Sequence, residues 1–363
     1  MKLLEGFTLG ALPLIGLDIG TTAVKAARIR RKGRNILVTG LAWAALDALD
    51  AVVAEGSPVS DKTALAIWRC VKILHDDAAV CSVAGPDVAV RTFEFPALPR
   101  KELASAMELE AMQVCPFEIS EGAVAYQLLR GPAGRVGKGE STERMLGIFA
   151  AAKNTTIRQR RELCEEGKAR CVMVDVDGLA LLNCMEACNL RDEGESALVL
   201  NIGSTYTNVA IISDDGLPFV RDIAYAGDHI ISHICHSTGS PKKTVAAALI
   251  SSDTDPTMLE RVRPSLKEAC STLADRVSET VRYYGTRKSG PAVDRIFLCG
   301  GLSQSLAAMD ALVPMLPGEA LLWDPLTILP CTRSVRRNKA AEHGPAFTVA
   351  LGLALRMLRD VHD

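Results

Sequence analysis

The sequence lacks an excess of charge of either sign and any long hydrophobic run, and aromatic residues make up only 4% of it. Its 41 Lys and Arg residues nearly balance its 43 Asp and Glu residues, so we expect no general binding of nucleic acid or other polyanions. A membrane-spanning helix needs roughly 20 apolar residues, and the best candidate, residues 41–54, is broken by Asp47 and Asp50. We therefore expect no direct membrane insertion.

The cysteines and the N-terminus both favour a cytoplasmic protein. The eleven cysteines are an odd number, and none forms a C-x-x-C pair. A chain of 363 residues can fold around a hydrophobic core without a disulfide framework, so we expect buried, reduced thiols. The first residues faintly resemble a signal peptide, but Glu5 interrupts the apolar run and no small-residue cleavage site precedes Asp18.

One hairpin pattern occurs twice in the chain. In residues 15–29 an aspartate and a glycine interrupt an apolar run, and two threonines and a second apolar run follow them. This pattern predicts two strands joined by a tight turn. Residues 198–212 repeat the pattern, which predicts two similar lobes that face one ligand. The aligned pairs are Asp18 and Asn201, Gly20 and Gly203, Thr21 and Ser204, Thr22 and Thr205, and Lys25 and Asn208.

The predicted turn has the chemistry of a phosphate site. Glycine followed by hydroxyl residues exposes consecutive backbone N–H groups and hydroxyls, which suit phosphate oxygens. Asp18, just before the first turn, is placed to hold Mg²⁺ through water, since Mg²⁺ sheds its water ligands reluctantly. Farther along, Gly300 and Gly301 follow a buried strand, where the missing side chains let the backbone approach a flat ligand such as adenine.

Strands and helices alternate along the chain, which predicts an α/β protein with mixed sheets. We expect residues 1–176 to form a first lobe and residues 177–343 a second. Residues 344–363 are predicted as a C-terminal helix that returns to the first lobe. Within the first lobe, residues 87–166 are predicted as strand, helix, strand, strand and helix, so a small α+β subdomain is expected at about 87–171.

These elements resemble, in their order, the actin-like ATPase superfamily. The matching parts are the hairpins at 18–25 and 201–208, the strand with its double glycine at 296–303, and the helix at 347–358. Within that group the sequence resembles the PilM family of type IV pilus assembly proteins, which is related to the FtsA family. The strings that carry this resemblance include 107–117 (MELEAMQVCPF), 174–181 (VDVDGLAL), 221–223 (RDI), 226–228 (AGD) and 346–355 (AFTVALGLAL).

The resemblance implies a two-lobed actin-like ATPase fold of duplicated RNase H-like domains that binds ATP and Mg²⁺. It implies a cytoplasmic location, peripheral to the inner membrane through partners. The implied partner is the cytoplasmic N-terminal tail of a PilN-like inner-membrane protein, in a groove beside the inserted subdomain; the pilus assembly motor complex and self-association are further implied contacts. Asp18 is implied to hold the metal. The implied nucleotide-binding residues are Asp18, Gly20, Thr21, Thr22, Lys25, Asn201, Gly203, Ser204, Thr205, Thr207, Gly300, Gly301 and Ser303.

Two residues depart from the superfamily's pattern. Asn201 stands where the superfamily usually has Asp, and Arg276 stands where relatives often carry Glu near the ribose. An amide keeps the hydrogen bonds of a carboxylate but lacks its charge, so it neither favours a metal nor accepts a proton. We therefore expect ATP binding with weak or absent hydrolysis. Asp175 and Asp177 are candidate catalytic bases, and each is equally a candidate structural residue at a strand end or helix start.

Several alternatives stay open. The rival functions are an active ATPase or small-molecule kinase of the same superfamily, and a polymerising protein of the FtsA type. Residues 131–142 resemble a P-loop but lack its first glycine and its hydroxyl residue, so a flexible loop is expected. His229, His233 and His236 share one predicted helical face and are candidate zinc ligands, although no H-E-x-x-H pattern is present. No basic amphipathic extension follows the last helix, which favours the PilM family over the FtsA family.

Overall fold

The computed structural model describes residues 14–33, 35–49, 61–96, 98–130, 144–213, 216–250, 256–286, 292–356 and 358. Two five-stranded sheets lie at the centres of two lobes. The strands of the first sheet are β1 (Ile15–Ile19), β2 (Ala23–Lys32), β3 (Asn35–Ala45), β4 (Ala78–Val83) and β8 (Arg170–Val176). Their order across the sheet is β3-β2-β1-β4-β8, with the β1–β2–β3 pairs antiparallel and the β1–β4–β8 pairs parallel.

The second sheet has the same topology as the first. Its strands are β9 (Ala197–Ile202), β10 (Thr207–Ile212), β11 (Pro218–Ile223), β12 (Arg295–Cys299) and β13 (Glu319–Leu322). Their order is β11-β10-β9-β12-β13, again with an antiparallel half and a parallel half. The repeated hairpins are β1–β2 and β9–β10, so each begins the sheet of its own lobe. This arrangement confirms the prediction of two similar lobes.

Helices connect the strands along the chain. In chain order they are α1 (Lys62–Leu74), α2 (Arg100–Val114), α3 (Asn154–Glu166), α4 (Asp177–Ala187), α5 (Gly227–Thr238), α6 (Lys242–Ile250), α7 (Pro256–Gly285), α8 (Leu306–Leu312), α9 (Arg333–Arg336) and α10 (Thr348–Arg356). The side chain of Asp61 caps α1 by accepting hydrogen bonds from the N–H groups of Thr63 and Ala64. Among the described residues, no helix combines the length and apolar character needed to cross a bilayer.

A small antiparallel sheet carries the inserted segment. Its strands are β5 (Val88–Pro96), β6 (Gly122–Arg130) and β7 (Arg144–Lys153), in the order β5-β7-β6. Helix α2 covers this sheet with Leu103, Met107 and Ala111, which recur every fourth residue and pack around Phe149. Helix α3 follows β7 but packs against α1, β4 and β8 of the first lobe.

The C-terminal helix α10 lies with its backbone directly against β1 and α4. A Cβ atom on Gly16 of β1 would lie 1.9 Å from the carbonyl oxygen of Ala350. A Cβ atom on Gly352 would lie 1.8 Å from the carbonyl oxygen of Ala180 in α4. Both distances are far inside van der Waals contact, so only glycine allows α10 to pack this closely between β1 and α4.

Some elements differ from the sequence predictions. The apolar positions Leu266, Leu273, Val277 and Val281 predict a long helix over residues 264–286. Helix α7 instead begins at Pro256 and runs through Pro264. Strands β4 and β13 and helix α6 are not predicted at all. β4 is a six-residue run buried along its whole length, so it shows no alternation, and β13 has only four residues. The resemblance of residues 131–142 to a P-loop lies outside the described residues.

Candidate functional site

The two repeated hairpins have the same turn at their tips. In the first hairpin the Gly20 N–H donates to the carbonyl oxygen of Ala23 at 3.2 Å, and in the second the Gly203 N–H donates to that of Tyr206 at 3.1 Å. A Cβ atom on Gly20 would lie 2.9 Å from the Ala23 carbonyl oxygen, and one on Gly203 would lie 2.9 Å from the Tyr206 carbonyl oxygen. Glycine is therefore needed at both positions for the chain to turn this tightly.

The two tips meet across the cleft between the lobes. The Oγ1 atoms of Thr21 and Thr205 lie 3.1 Å apart and share a hydrogen bond. Thr21 and Thr22 are exposed, and Ser204 and Thr205 are partly exposed. Hydroxyl groups from both lobes are thus concentrated at one point of the surface, in a donor set that fits the oxygens of a polyphosphate.

The second tip is held by the start of helix α5. The N–H groups of Gly227 and Asp228 donate to the carbonyl oxygens of Gly203 and Ser204 at 3.0 and 2.8 Å. The Ser204 hydroxyl donates to Asp228 at 2.6 Å, and Lys242 of α6 pairs with the same carboxylate at 2.8 Å. The loop is therefore fixed before any ligand binds.

The paired strands place different charges behind the two tips. Asp18 is opposite Lys25 in the β1–β2 register, and Asn201 is opposite Asn208 in the β9–β10 register. The Lys25 ammonium lies 2.6 Å from the Asp18 carboxylate, whereas the Asn201 amide donates to the side-chain oxygen of Asn208 at 2.7 Å. The first tip therefore has an ion pair behind it, and the second has a neutral pair.

A buried carboxylate connects the two lobes behind the tips. Asp222 of β11 accepts a hydrogen bond from the Asn208 amide at 2.7 Å and another from the backbone N–H of Gly85 at 2.6 Å. Asn208 belongs to the second lobe, whereas Gly85 follows β4 in the first. Burial raises the pKa of Asp222, and these two hydrogen bonds oppose that effect. Asp222 thus bridges the lobes close to the cleft.

The double glycine forms the third side of the cleft. Gly300 has φ +95°, and a Cβ atom there would lie 2.6 Å from both the Asn201 side-chain oxygen and the carbonyl oxygen of Ile202. A Cβ atom on Gly301 would meet nothing within 4 Å. Gly300 therefore lets the backbone reach the second hairpin, while Gly301 leaves open space where a flat ligand can approach.

A shallow cavity of about 450 Å³ opens beside the second tip, between α5 and α7. The Tyr225 ring stacks on the His229 ring at 5.2 Å, and the Arg276 guanidinium lies 5.1 Å from the Tyr225 ring. Arg276 is therefore held by an aromatic ring at the edge of this cavity. The lining residues are Tyr225, Asp228, His229, Ser232, His233 and Thr272.

Comparison with known proteins identifies the family. The profile of the family described as type IV pilus assembly protein PilM matches residues 16–358. The chain belongs to the PilM family. The sequence resemblance is thus confirmed over nearly the whole chain, and a role in type IV pilus assembly follows from this membership at the level of the family.

Solved structures similar to this PilM-family chain confirm the fold. The chain resembles the PilM-PilN type IV pilus biogenesis complex with a TM-score of 0.76 and 20% identity, over 96% of this chain and 99% of that one. It also resembles the ethanolamine utilization protein EutJ from Carboxydothermus hydrogenoformans (TM-score 0.50, 14% identity, 94% and 88% of the chains). A nucleotide-free diol dehydratase-reactivating factor is similar to the same extent (TM-score 0.50, 11% identity, 95% and 99%). The two-lobed actin-like ATPase fold predicted from the sequence is therefore correct.

The PilM-family cleft includes most, but not all, of the residues predicted for it. The hairpin residues Asp18 to Lys25 and Asn201 to Thr205 lie around the two tips, with Gly300 and Gly301 beside them. Thr207 and Ser303 are fully buried. Their hydroxyls donate to the carbonyl oxygens of Tyr225 and Gly300, both at 2.7 Å, so they support the backbone of the cleft.

Other residues of the cleft had no predicted role. Gly85, Asp222, Asp228 and Tyr225 all contact or support the second hairpin. Asp222 and Asp228 lie in the segments 221–223 and 226–228 that resemble the PilM family, and this resemblance is the signal in the sequence that points to them. The candidate histidine zinc site is not supported, because His229, His233 and His236 take part in no group of three possible metal ligands among the described residues.

The two candidate bases have different surroundings. Asp175 pairs with Arg356 of α10 at 3.2 Å, and burial raises its pKa in spite of that charge. Asp177, at the start of α4, lies near Asp18 and is hydrogen-bonded to Ser82. Burial, and next the charge of Asp18, raise the pKa of Asp177 to about 7. Asp177 is therefore the acid whose charge changes near neutral pH beside the first tip.

Asp177→Asn is expected to raise the melting temperature at pH 8 by about 5 °C. The Asp177 carboxyl ionises near pH 4 in an unfolded chain but near pH 7 in the fold, so the wild type loses stability as the pH rises between these values. The asparagine variant carries no such charge, so its advantage should vanish at pH 4 and be complete at pH 8. Thermal unfolding of the ligand-free protein across this range measures the effect.

The control for this measurement is Asp310→Asn on α8, where the aspartate is exposed, so this exchange removes a carboxylate without removing it from a buried position. A gain in melting temperature of the same size in this variant would assign the effect to a general loss of negative charge. If the melting temperatures of Asp177→Asn and wild type differed by the same amount from pH 4 to pH 8, the Asp177 carboxyl would already be ionised at low pH.

Proposed function

We propose that this protein is an ATP-binding scaffold of the type IV pilus machinery in which the nucleotide fixes the relative position of the two lobes. The observation that carries the proposal is the 3.1 Å contact between Thr21 and Thr205, which joins the tips of two equivalent hairpins from opposite lobes. A ligand with several phosphate groups can accept hydrogen bonds from both tips at once. It would then connect the lobes more strongly than the threonine contact does alone.

The donor set of the cleft fits Mg-ATP. The hydroxyls and N–H groups of the two tips would hold the phosphates, Asp18 would hold Mg²⁺ through its water ligands, and Lys25 would neutralise phosphate charge. The open backbone at Gly301 is suited to the adenine. When bound, Mg²⁺ would screen the charge of the phosphates, while the protein's own groups position them.

We propose that the protein holds ATP better than it hydrolyses it. Asn201 is 9% exposed, and its amide is already hydrogen-bonded to Asn208, which is bonded in turn to Asp222. A neutral amide in this network neither attracts Mg²⁺ nor takes a proton from an attacking water. The second hairpin therefore supplies positioning without the charge that hydrolysis would need.

The proposed partner is the cytoplasmic N-terminal tail of a PilN-like inner-membrane protein. This chain is similar to a PilM-PilN complex over nearly its whole length. On the inserted subdomain, α2 buries one face but exposes Leu109 and Met112, each by 61%. Because residues at i and i+3 are neighbours on a helix surface, these two exposed apolar side chains lie side by side and suit contact with an apolar segment. Binding there would hold this cytoplasmic protein at the inner membrane and couple the membrane complex to the assembly motor.

The double variant Leu109→Glu and Met112→Glu is expected to weaken binding of a PilN-like tail peptide at least about tenfold, since two charges would replace the apolar contact. Fluorescence anisotropy with a labelled peptide measures the affinity, with and without Mg-ATP. Because ATP fixes the lobes, Mg-ATP should strengthen binding of the peptide to the wild type.

The matched control for this experiment is Ile73→Glu, since Ile73 is 54% exposed on α1 of the first lobe. This variant should bind the peptide with the affinity of the wild type. Equal affinities for the wild type and the α2 double variant would place the peptide elsewhere on the protein.

A further inference from the structure

Three thiols converge inside the first lobe, away from the cleft. Cys81 lies on β4, Cys164 on α3 and Cys171 on β8, and their Sγ atoms all lie within 4.8 Å of one another. The Sγ atoms of Cys81 and Cys171 are 3.5 Å apart. Cys81 and Cys164 are fully buried, whereas Cys171 is partly exposed. Two of the three cysteines are therefore enclosed by protein, and Cys171 is the one that retains contact with solvent.

The fold brings these cysteines together by two separate connections. Strands β4 and β8 are parallel neighbours in the first sheet. Helix α3 leads into β8 through a tight turn in which Lys168 has φ +59° and the Ala169 N–H donates to the Cys164 carbonyl oxygen at 2.8 Å. This turn folds Cys171 back beside Cys164, while the sheet supplies Cys81.

The spacing of the sulfur atoms suits a single metal ion. Three sulfurs bound to one ion at about 2.3 Å lie about 4 Å from one another. The observed separations, 3.5 Å for one pair and at most 4.8 Å for the others, bracket this value. A disulfide would use two of the three sulfurs and leave the third beside it, so the triangle is better explained by a ligand that uses all three.

The ligand set indicates which ion. Among the described residues, the cluster includes no histidine or carboxylate, so a structural zinc site, which is closed by four protein ligands, would lack one of them. Thiolates alone select soft ions such as Cu(I), which is stable with three sulfur ligands. Arg160 and Arg161 of α3 act by charge attraction on Cys164 and Cys171, which offsets the negative charge of three thiolates around a monovalent ion.

We propose that Cys81, Cys164 and Cys171 form a binding site for Cu(I). The site is independent of the proposed nucleotide function, since none of its ligands is among the residues proposed to hold the nucleotide. It is nevertheless close to the first hairpin. Cys81 is paired with Leu17 of β1, and Arg160, one helical turn before Cys164, donates to the carbonyl oxygen of Ile19 at 2.9 Å.

Titration of the reduced, full-length protein with Cu(I) under anaerobic conditions, in competition with a chromogenic Cu(I) chelator, tests the proposal. One Cu(I) per chain is expected to bind, and X-ray absorption at the copper edge should show three sulfur ligands. Cys171→Ser should bind at least about 100-fold more weakly, because even the loss of an outer partner of a metal ligand typically weakens binding 10–100-fold.

The matched control is Cys115→Ser, since Cys115 is another partly buried thiol but lies after α2 in the inserted subdomain. This variant should bind Cu(I) with the affinity of the wild type. Circular dichroism and the melting temperature without metal should be the same for wild type and Cys171→Ser, since the exchange is nearly isosteric at a partly exposed position. Unchanged binding in Cys171→Ser, or fewer than three sulfur ligands, would overturn the proposal.

Discussion

Replacing Gly352 with valine is expected to lower the melting temperature by about 10 °C or to prevent folding. Even one Cβ atom at this position would lie 1.8 Å from the Ala180 carbonyl oxygen, and a backbone atom of α4 cannot move aside as a flexible side chain could. Helix α10 must therefore shift away from α4, at a cost of about 3–5 kcal/mol. Thermal unfolding followed by circular dichroism measures the loss.

The matched variant is Gly285→Ala at the end of α7. A Cβ atom there meets no other atom within 4 Å, and alanine is the better helix former. Its melting temperature should equal or slightly exceed that of the wild type. A Gly352→Val protein as stable as the wild type would show that α10 does not lie against α4 in the way described.

Asp18→Ala is expected to weaken the binding of Mg-ATP about 100-fold, or ~2.8 kcal/mol. Asp18 is the carboxylate behind the first tip, and the equivalent residue of the second tip is the neutral Asn201. Loss of Asp18 removes the group proposed to hold the hydrated metal and leaves Lys25 without its partner at 2.6 Å. Fluorescence titration with a labelled ATP analogue, in Mg²⁺ and in EDTA, measures both affinities.

The comparison between Mg²⁺ and EDTA separates a metal effect from a general loss of structure. The wild type should bind the analogue much more tightly in Mg²⁺, whereas Asp18→Ala should show little difference between the two conditions. Glu260→Ala is the control, because Glu260 forms only an exposed ion pair with Arg263 at 2.9 Å on α7. If Asp18→Ala kept the full effect of Mg²⁺, Asp18 would not be the metal-holding group.

The repeated hairpins could be predicted from the sequence because their signal is local. Glycine and hydroxyl residues at fixed positions define the turn, and the apolar runs on both sides define the strands. Once the turns are placed, the pairs Asp18–Lys25 and Asn201–Asn208 follow from strand register alone. The structure has these pairs, and it also shows the same sheet order in both lobes.

The rest of the cleft depends on contacts between residues far apart in the chain, for which the sequence has no periodic signal. Asp222 bonds to Gly85, and Asp228 bonds to Ser204, only because whole elements pack together. The thiol cluster is of the same kind, since β4, which carries Cys81, shows no alternation and was not predicted. Comparison of the two hairpin repeats with each other also does not reveal that the Thr207 hydroxyl points into the protein.

The position of α10 has a consequence for the order of folding. Strand β1 leaves the ribosome long before α10, the helix that packs against Gly16. The first lobe therefore cannot bury its sheet fully until α10 has been synthesised. The second lobe is continuous in sequence from β9 to β13, so it can fold earlier. During translation, the N-terminal lobe must wait for the C-terminal one, which is the reverse of the usual order of domain folding.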